Sequence, residues 1–275
     1  MGKLYSHQRG LVQEKVARIT AREPLSGEFV NWISSAAGEN LPRFLFSGPS
    51  GLCEAKTEAM EILAELPGVR LGTVQADGVR VAPSEEALAR LMQEVCDRKR
   101  REFTVESLAE APAIRDVRAM FRGWDMDPSK YRPSSEALLR RVVQGKGLYR
   151  VSNVVDIGNL GSIETGWPYG CYDRSKIQGP IVLRHGIAGE RYEGIGKRTW
   201  HLEGRPVLAD LEGPFGSPIS DSTRSMITEA AQEILIVVYA PSSASDASLA
   251  AATDRLRERL SQFAGAKETR FHIGP

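Results

Sequence analysis

Residues 154–190 read VVDIGNLGSIETGWPYGCYDRSKIQGPIVLRHGIAGE. A short strand is predicted near the end of this stretch, at 180–184, and the elements on its two sides differ in kind. Upstream, LPGVRLGTVQA (66–76) reads as a turn followed by a buried strand. Ser84 is then placed to cap a helix whose first turn carries Glu85 and Glu86, the favourable sign for the helix dipole. Leu88, Leu91, Met92, Val95 and Cys96 follow at helical spacing and form one apolar face. The run Arg98-Lys99-Arg100-Arg101 closes that helix. A second helix is predicted over 111–122. A third begins after Pro133 with Ser134 as cap, buries Leu138, Leu139, Val142 and Val143, and ends in QGKG (144–147).

Downstream, short strands near 206–210 and 233–239 are separated by glycine-rich turns. An amphipathic helix follows at 247–264, marked by Leu249, Leu256, Leu260 and Phe263, and TRFHI (269–273) is read as a final strand. Strands and helices do not alternate, which points to an α+β arrangement, a layered sandwich of mixed β-sheets with flanking helices, rather than a doubly wound sheet. Residues 1–60 are poorer in apolar residues and are read as an N-terminal extension, with the main domain over 61–275. Within the extension, FLFSGPSG (44–51) reads as a strand and turn. A phosphate loop is rejected because Ala55, not glycine, precedes Lys56.

The 275-residue chain is 41% hydrophobic and 26% charged with a formal net charge of +1, a balance that names no partner by itself. Its three cysteines (Cys53, Cys96, Cys171) and four histidines are scattered, so neither a zinc site, a His-based relay nor a disulfide framework is indicated. No run approaches the roughly 18–20 apolar residues that span a bilayer, and no signal-like segment opens the chain. A cytoplasmic location without membrane attachment is expected.

Charge is uneven along the chain. Between Ile114 and Arg150 lie nine basic and four acidic residues, a local +5. Such a stripe is either a solvated pair of helix faces or a surface that neutralises phosphates, and in the second case Arg132, Arg140, Arg141, Lys146 and Arg150 are the expected RNA contacts. Trp124, Tyr131 and Tyr149 sit among these cations, where they either stack on unpaired bases or belong to the core.

The 154–190 stretch resembles the editing domain of the phenylalanyl-tRNA synthetase beta subunit, the B3/B4 domain, here as a stand-alone form. Asp156, Asn159, Glu164, Gly166, Pro168, Asp173, Lys176, Gly179, Ile181, Arg184, Gly189 and Glu190 hold the family spacing in one ungapped register. YRPSSEALLRRVVQGKGLYRVSNVVD (131–156) is similar to the leading helix of stand-alone versions. ADLEGPFGSPISDSTRSMIT (209–228) stands where the family has its glycine-rich loop, with Asp210, Gly213, Gly216, Ser220 and Thr223 in register.

The resemblance implies hydrolysis of an amino acid wrongly esterified to tRNA, with aminoacylated tRNA as partner and neither metal nor cofactor. An aminoacyl ester is already activated by the neighbouring ribose hydroxyl, so positioned water and charge stabilisation suffice. The implied catalytic set is Asn159, Ser217, Ser220 and Asp221, with Asn159 orienting water or the terminal ribose. The implied pocket comprises Gly158, Gly170, Gly213, Gly216 and Pro218, with Gly158 and Gly170 widening it. Asp156 and Asp173 are read as structural braces rather than bases. Departures from the family pattern are Gly158 for a threonine, Gly170 for the pocket histidine, Ser217 for a glycine and Pro218 for the acid that reads a tyrosine hydroxyl. Tyrosine specificity therefore does not carry over. Two alternatives stand beside the deacylase: a non-catalytic tRNA- or RNA-binding module, and a hydrolase of small amino-acid esters or amides.

Overall fold

The computed structural model describes residue 60 and residues 62–274, all within one unit, Lys56–Pro275. The strand read at 44–51 lies outside the described residues. Within them the chain forms two four-stranded sheets, a two-stranded ribbon and five α-helices. The first sheet is β1 (Ile62–Ala64), β4 (Ile181–His185), β7 (Pro206–Asp210) and β8 (Gly213–Gly216), in that order. It is mixed: β1 runs parallel to β4, and the other pairs are antiparallel. The second sheet is wholly antiparallel, in the order β10 (Glu268–Ile273), β2 (Val69–Asp77), β9 (Glu233–Pro241), β3 (Tyr169–Asp173). The ribbon pairs β5 (Arg191–Glu193) with β6 (Thr199–His201). This is the expected α+β class.

The nine-residue β9 is buried along all but its first residue, as its apolar run ILIVVYA requires. Helix α5 (Asp246–Ala264) covers one face of that sheet. There a Cβ on Gly72 would lie 2.9 Å from Leu249 Cδ1, so the helix sits tight against β2. The opposite face meets the first sheet, where the Tyr172 ring packs edge-on to Phe215 with centroids 5.1 Å apart.

Helix α1 (Glu86–Glu102) buries Leu88, Met92, Val95 and Cys96, the predicted face. Its cap differs from expectation. Glu85 occupies the N-cap position without a side-chain bond, and Ser84 Oγ instead donates to Asp156 Oδ2 at 2.6 Å. The buried carboxylate outcompetes the helix terminus because a charge-assisted bond is the stronger one. Two substitutions separate these roles. Ser84→Ala is expected to cost about 2 kcal/mol. Ser84→Asp, as good a cap as serine, is expected to cost more, because it sets a second carboxylate against Asp156. Thermal melts in which the aspartate variant equals wild type would restore the capping role.

Helix α2 spans Pro112–Gly123 and α3 Ser134–Val143. Ser134 is likewise no cap: Pro133 precedes the helix, and the Ser134 N–H donates to Pro218 O at 3.0 Å. Helix α4 (Asn153–Thr165) lies in the quoted stretch and buries nine of its thirteen residues. Ser152 caps it, and Gly166, at φ 77°, ends it in the left-handed conformation that glycine adopts freely. Gly158 and Gly161, one turn apart, lie against β3. A Cβ on Gly158 would overlap Cys171 Sγ, and one on Gly161 would lie 2.7 Å from the Tyr169 ring.

Candidate functional site

Five carboxylates at positions that carry the resemblance serve the frame. Asp156 accepts from Ser84 and from the Val151 N–H (3.0 Å). Glu164 is held by Arg259 through two bonds of 2.6 and 2.9 Å. Asp173 accepts from Ser175 N–H and Oγ at 3.1 and 2.6 Å. Arg184 grips Glu190 at 2.9 and 2.7 Å. Asp210, with a fully buried carboxylate, takes the Arg224 fork and the amides of Gln178, Glu212 and Gly213. Held in this way, they tie turns and helix ends together.

The loop after β8 is different. Residues 217–225 run along the free edge of β3, where the Asp173 N–H donates to Ser225 O at 2.9 Å. Farther along the same edge, the Cys171 N–H is directed at the Asp221 carboxylate. Loop atoms thus satisfy an edge that a neighbouring strand would otherwise occupy. Asp221 Oδ1 accepts from the Tyr172 hydroxyl at 2.8 Å and the Ser217 N–H at 3.2 Å. Burial pushes the Asp221 pKa from 3.8 up to about 7, and these hydrogen bonds offset only part of that rise. The Tyr172 hydroxyl also lies 3.3 Å from that of Tyr239. Burial, and then the charge of Asp221, raises both phenols well above 10. The same two causes push the Cys171 thiol up, so it is no nucleophile.

Ser217 Oγ is fully committed. It accepts from the N–H groups of Ile219 (3.2 Å) and Ser220 (3.0 Å) and donates to Ser220 O at 2.8 Å. It staples the turn. Ser220 Oγ has no hydrogen bond among the described residues, while its carbonyl also accepts from the Tyr192 hydroxyl at 2.5 Å. Pro218 is buried, and its carbonyl ties the loop to α3. Gly213 takes φ 118° to make the turn into β8.

The glycines do not leave open space. Tyr172 fills the room beside both Gly170 and Gly216, where an added Cβ would overlap its hydroxyl. Cys171 fills the room beside Gly158. Gly158 and Gly170 therefore admit protein side chains rather than widening a pocket. Tyr172 escaped the sequence reading, although Gly170 signals it: residues i and i+2 of a strand share a face, and a large ring needs a bare neighbour. Asn159 lies on the open side of α4, half-buried, and its amide makes no hydrogen bond to any described residue. It follows Gly158, which touches Cys171, whose amide meets Asp221.

The basic stripe is largely spent on internal partners. Arg132 pairs with the buried Glu136 at 3.4 Å, which Arg118 also grips. Arg150 lies 3.6 Å from Asp156. Arg141 stacks on the exposed Tyr149 at 3.9 Å. Arg140 and Lys146 have no ion pair among the described residues. Trp124 is fully buried and donates to Pro67 O at 2.7 Å, so it belongs to the core.

A family model described as B3/4 domain matches residues 118–263. The phenylalanine–tRNA ligase beta subunit of Neisseria meningitidis serogroup A is 30% identical over 103 residues, 34% of this chain and 13% of that protein. Its counterpart in Streptomyces avermitilis is 37% identical over 93 residues, 33% of this chain and 11% of that protein. The beta subunit of Symbiobacterium thermophilum is 26% identical over 192 residues, 60% and 21% respectively. The matched segment therefore spans at most about a fifth of these relatives' length. A crystal structure of an N-terminal fragment of the phenylalanyl-tRNA synthetase beta-subunit from Pyrococcus horikoshii aligns over 80% of this chain and 53% of its own, with TM-score 0.40 and 16% identity.

Proposed function

The chain belongs to the B3/4-domain family, and from that premise we propose that it is an aminoacyl-tRNA deacylase, hydrolysing the ester of a wrongly attached amino acid. One observation carries the reading: the half-buried carboxylate of Asp221 on the loop beside β3, held by the Tyr172 hydroxyl and the Ser217 N–H, with burial pushing its pKa up to about 7. A base poised near the working pH is best suited to take a proton from water. In the proposed reaction water attacks the ester carbonyl carbon and Asp221 accepts its proton. The bond to the ribose oxygen then breaks, and that oxygen receives the proton. The free amide of Asn159 orients the terminal ribose or the developing oxyanion.

The test is a panel of mischarged tRNAs incubated with the purified protein. At least one is expected to be deacylated well above its spontaneous rate, with Asn159→Ala slower by about a hundredfold, at the low end of losses for one oxyanion-stabilising donor. A panel in which no ester is cleaved faster than in buffer ends the proposal.

A second reading, an RNA-binding module without chemistry, is favoured by Tyr172, whose ring takes up the room beside Gly170 and Gly216. It predicts retention of tRNA on a filter, weakened by salt, with no hydrolysis of any member of the panel.

A further inference from the structure

Several arginines of the fold meet a carboxylate, among them Arg118, Arg132, Arg184, Arg224 and Arg259. Around the β5–β6 ribbon the pattern changes. Arg205 lies 4.5 Å from the Tyr131 ring centre and 5.7 Å from that of Trp200, and Arg198 lies 4.8 Å from Trp200. Lys130 Nζ sits 5.3 Å from the Tyr131 ring. The order is cation, ring, cation, ring, cation. Lys130 and Arg198 are exposed, and the three middle members are half-buried. None of the three cations has an ion pair among the described residues. The hydrogen bond of Arg205 goes to the neutral Tyr131 hydroxyl, at 3.1 Å. Residues 191–205 hold four basic and two acidic residues, a local +2.

This ladder is joined to the loop of Asp221 at both ends. A Cβ on Gly194 would lie 2.6 Å from Trp200 Nε1, so the indole lies against the residue that bridges to Ser222. Next to it, the Ile195 N–H donates to Asp221 O at 3.1 Å. At the Tyr131 end, the N–H of nearby Ser134 donates to Pro218 O. Anchoring of the ribbon does not require the cations, because Tyr192, Leu202 and Val207 form a buried cluster with Trp200 packed on it.

We propose that Lys130, Tyr131, Arg205, Trp200 and Arg198 form a binding site for an unpaired RNA strand, which they lead to the loop bearing Asp221. Unpaired bases stack on guanidinium planes and aromatic faces, and the uncompensated cations neutralise the phosphates between them. A duplex keeps its base faces covered and offers only its charge. The site rests on the deacylase reading for the identity of the strand, the ester-bearing end of a tRNA, and shares only Lys130 and Tyr131 with the basic stripe between Ile114 and Arg150.

Fluorescence anisotropy with a labelled hexamer of cytidine and adenosine, and with a duplex RNA of equal charge, tests it. Wild type is expected to bind the hexamer more tightly than the duplex. Trp200→Ala is expected to weaken hexamer binding about tenfold, the loss of one stacked base. The double variant Arg198→Gln/Arg205→Gln keeps Trp200 and the ribbon's small core, so it remains informative if Trp200→Ala misfolds. It is expected to weaken binding by at least as much and to flatten the log–log salt dependence by about 1.4, two single-strand phosphate contacts. Hexamer binding unchanged in the double variant overturns the site, as does a polyglutamate of equal charge binding as well as the hexamer. The panel of mischarged tRNAs separates the two proposals. Hexamer binding that depends on the ladder without ester hydrolysis removes the deacylase and leaves the site. Hydrolysis with hexamer binding indifferent to the ladder removes the site and leaves the deacylase.

Discussion

Asp221→Asn is expected to slow ester hydrolysis by about a hundredfold or more, the usual contribution of a positioned base, while making the protein more stable at pH 8. Both effects follow from one feature. Asparagine keeps an oxygen for Tyr172 and the Ser217 N–H, but it cannot take a proton from water. The wild-type rate should rise with pH through an inflection near 7, where Asp221 loses its proton, and the variant should lack that inflection. For stability the sign is reversed. Folded Asp221 keeps its proton up to about pH 7, whereas the unfolded chain releases it near 3.8. Folding therefore takes up a proton between those values. Stability is fully present at the acid end, falls as pH rises through the window, and levels off above about 7. A shift of this size corresponds to on the order of 4 kcal/mol. Removing the charge abolishes this group's share of the decline, so melting curves of the variant should be higher than wild type at pH 8 and converge with it near pH 4. A wild-type melting temperature that does not fall between pH 4 and 8, together with a variant of undiminished activity, contradicts the assignment.

Gly170→Ala is expected to be the most disruptive single methyl group in the sheet interface. The new Cβ overlaps the Tyr172 hydroxyl, and that ring has nowhere to go. It is fully buried, lies edge-on to Phe215, is flanked by Gly216 on the facing sheet, and is tied to Asp221 and Tyr239. Overpacking of this kind costs about 1–3 kcal/mol. Breaking the Tyr172–Asp221 bond leaves a half-buried carboxylate short of a donor, a further loss of about 1–3 kcal/mol. A combined loss of about 4 kcal/mol lowers the melting temperature by roughly 10 °C in a domain of this size. Tyr172→Ala in the same chain should give back part of the loss, because it removes the obstruction. If the double variant is no better than the sum of the single ones, the two residues do not share that space.

How much of this was legible depended on what each residue faces. Helix α1 buries one side and β9 nearly everything, and both patterns are written in their apolar spacing. Helix α4 lacks such a stripe because nine of its thirteen residues are buried, so periodicity could not set its bounds. Strand β3, with a glycine among five residues, was hidden for a related reason: its shape is set by Tyr172 folding over Gly170. The acidic framework was legible through the resemblance, and its members prove to be braces. Ser84 was misassigned because its partner lies 72 positions away in sequence, and no local rule reaches that far. The glycines at 158 and 170 were noticed but misread as openings, since a bare position does not say whose side chain fills it.

The loop over β3 has a consequence beyond chemistry. It holds the outward amides of Cys171 and Asp173, and a strand whose amides are bared is a template on which another chain can add. Any motion that lifts residues 221–225 far enough to enlarge the site also uncovers that template. Access to the proposed deacylase site and protection of this edge would then compete for one short segment, so self-association should grow with the time the loop spends lifted.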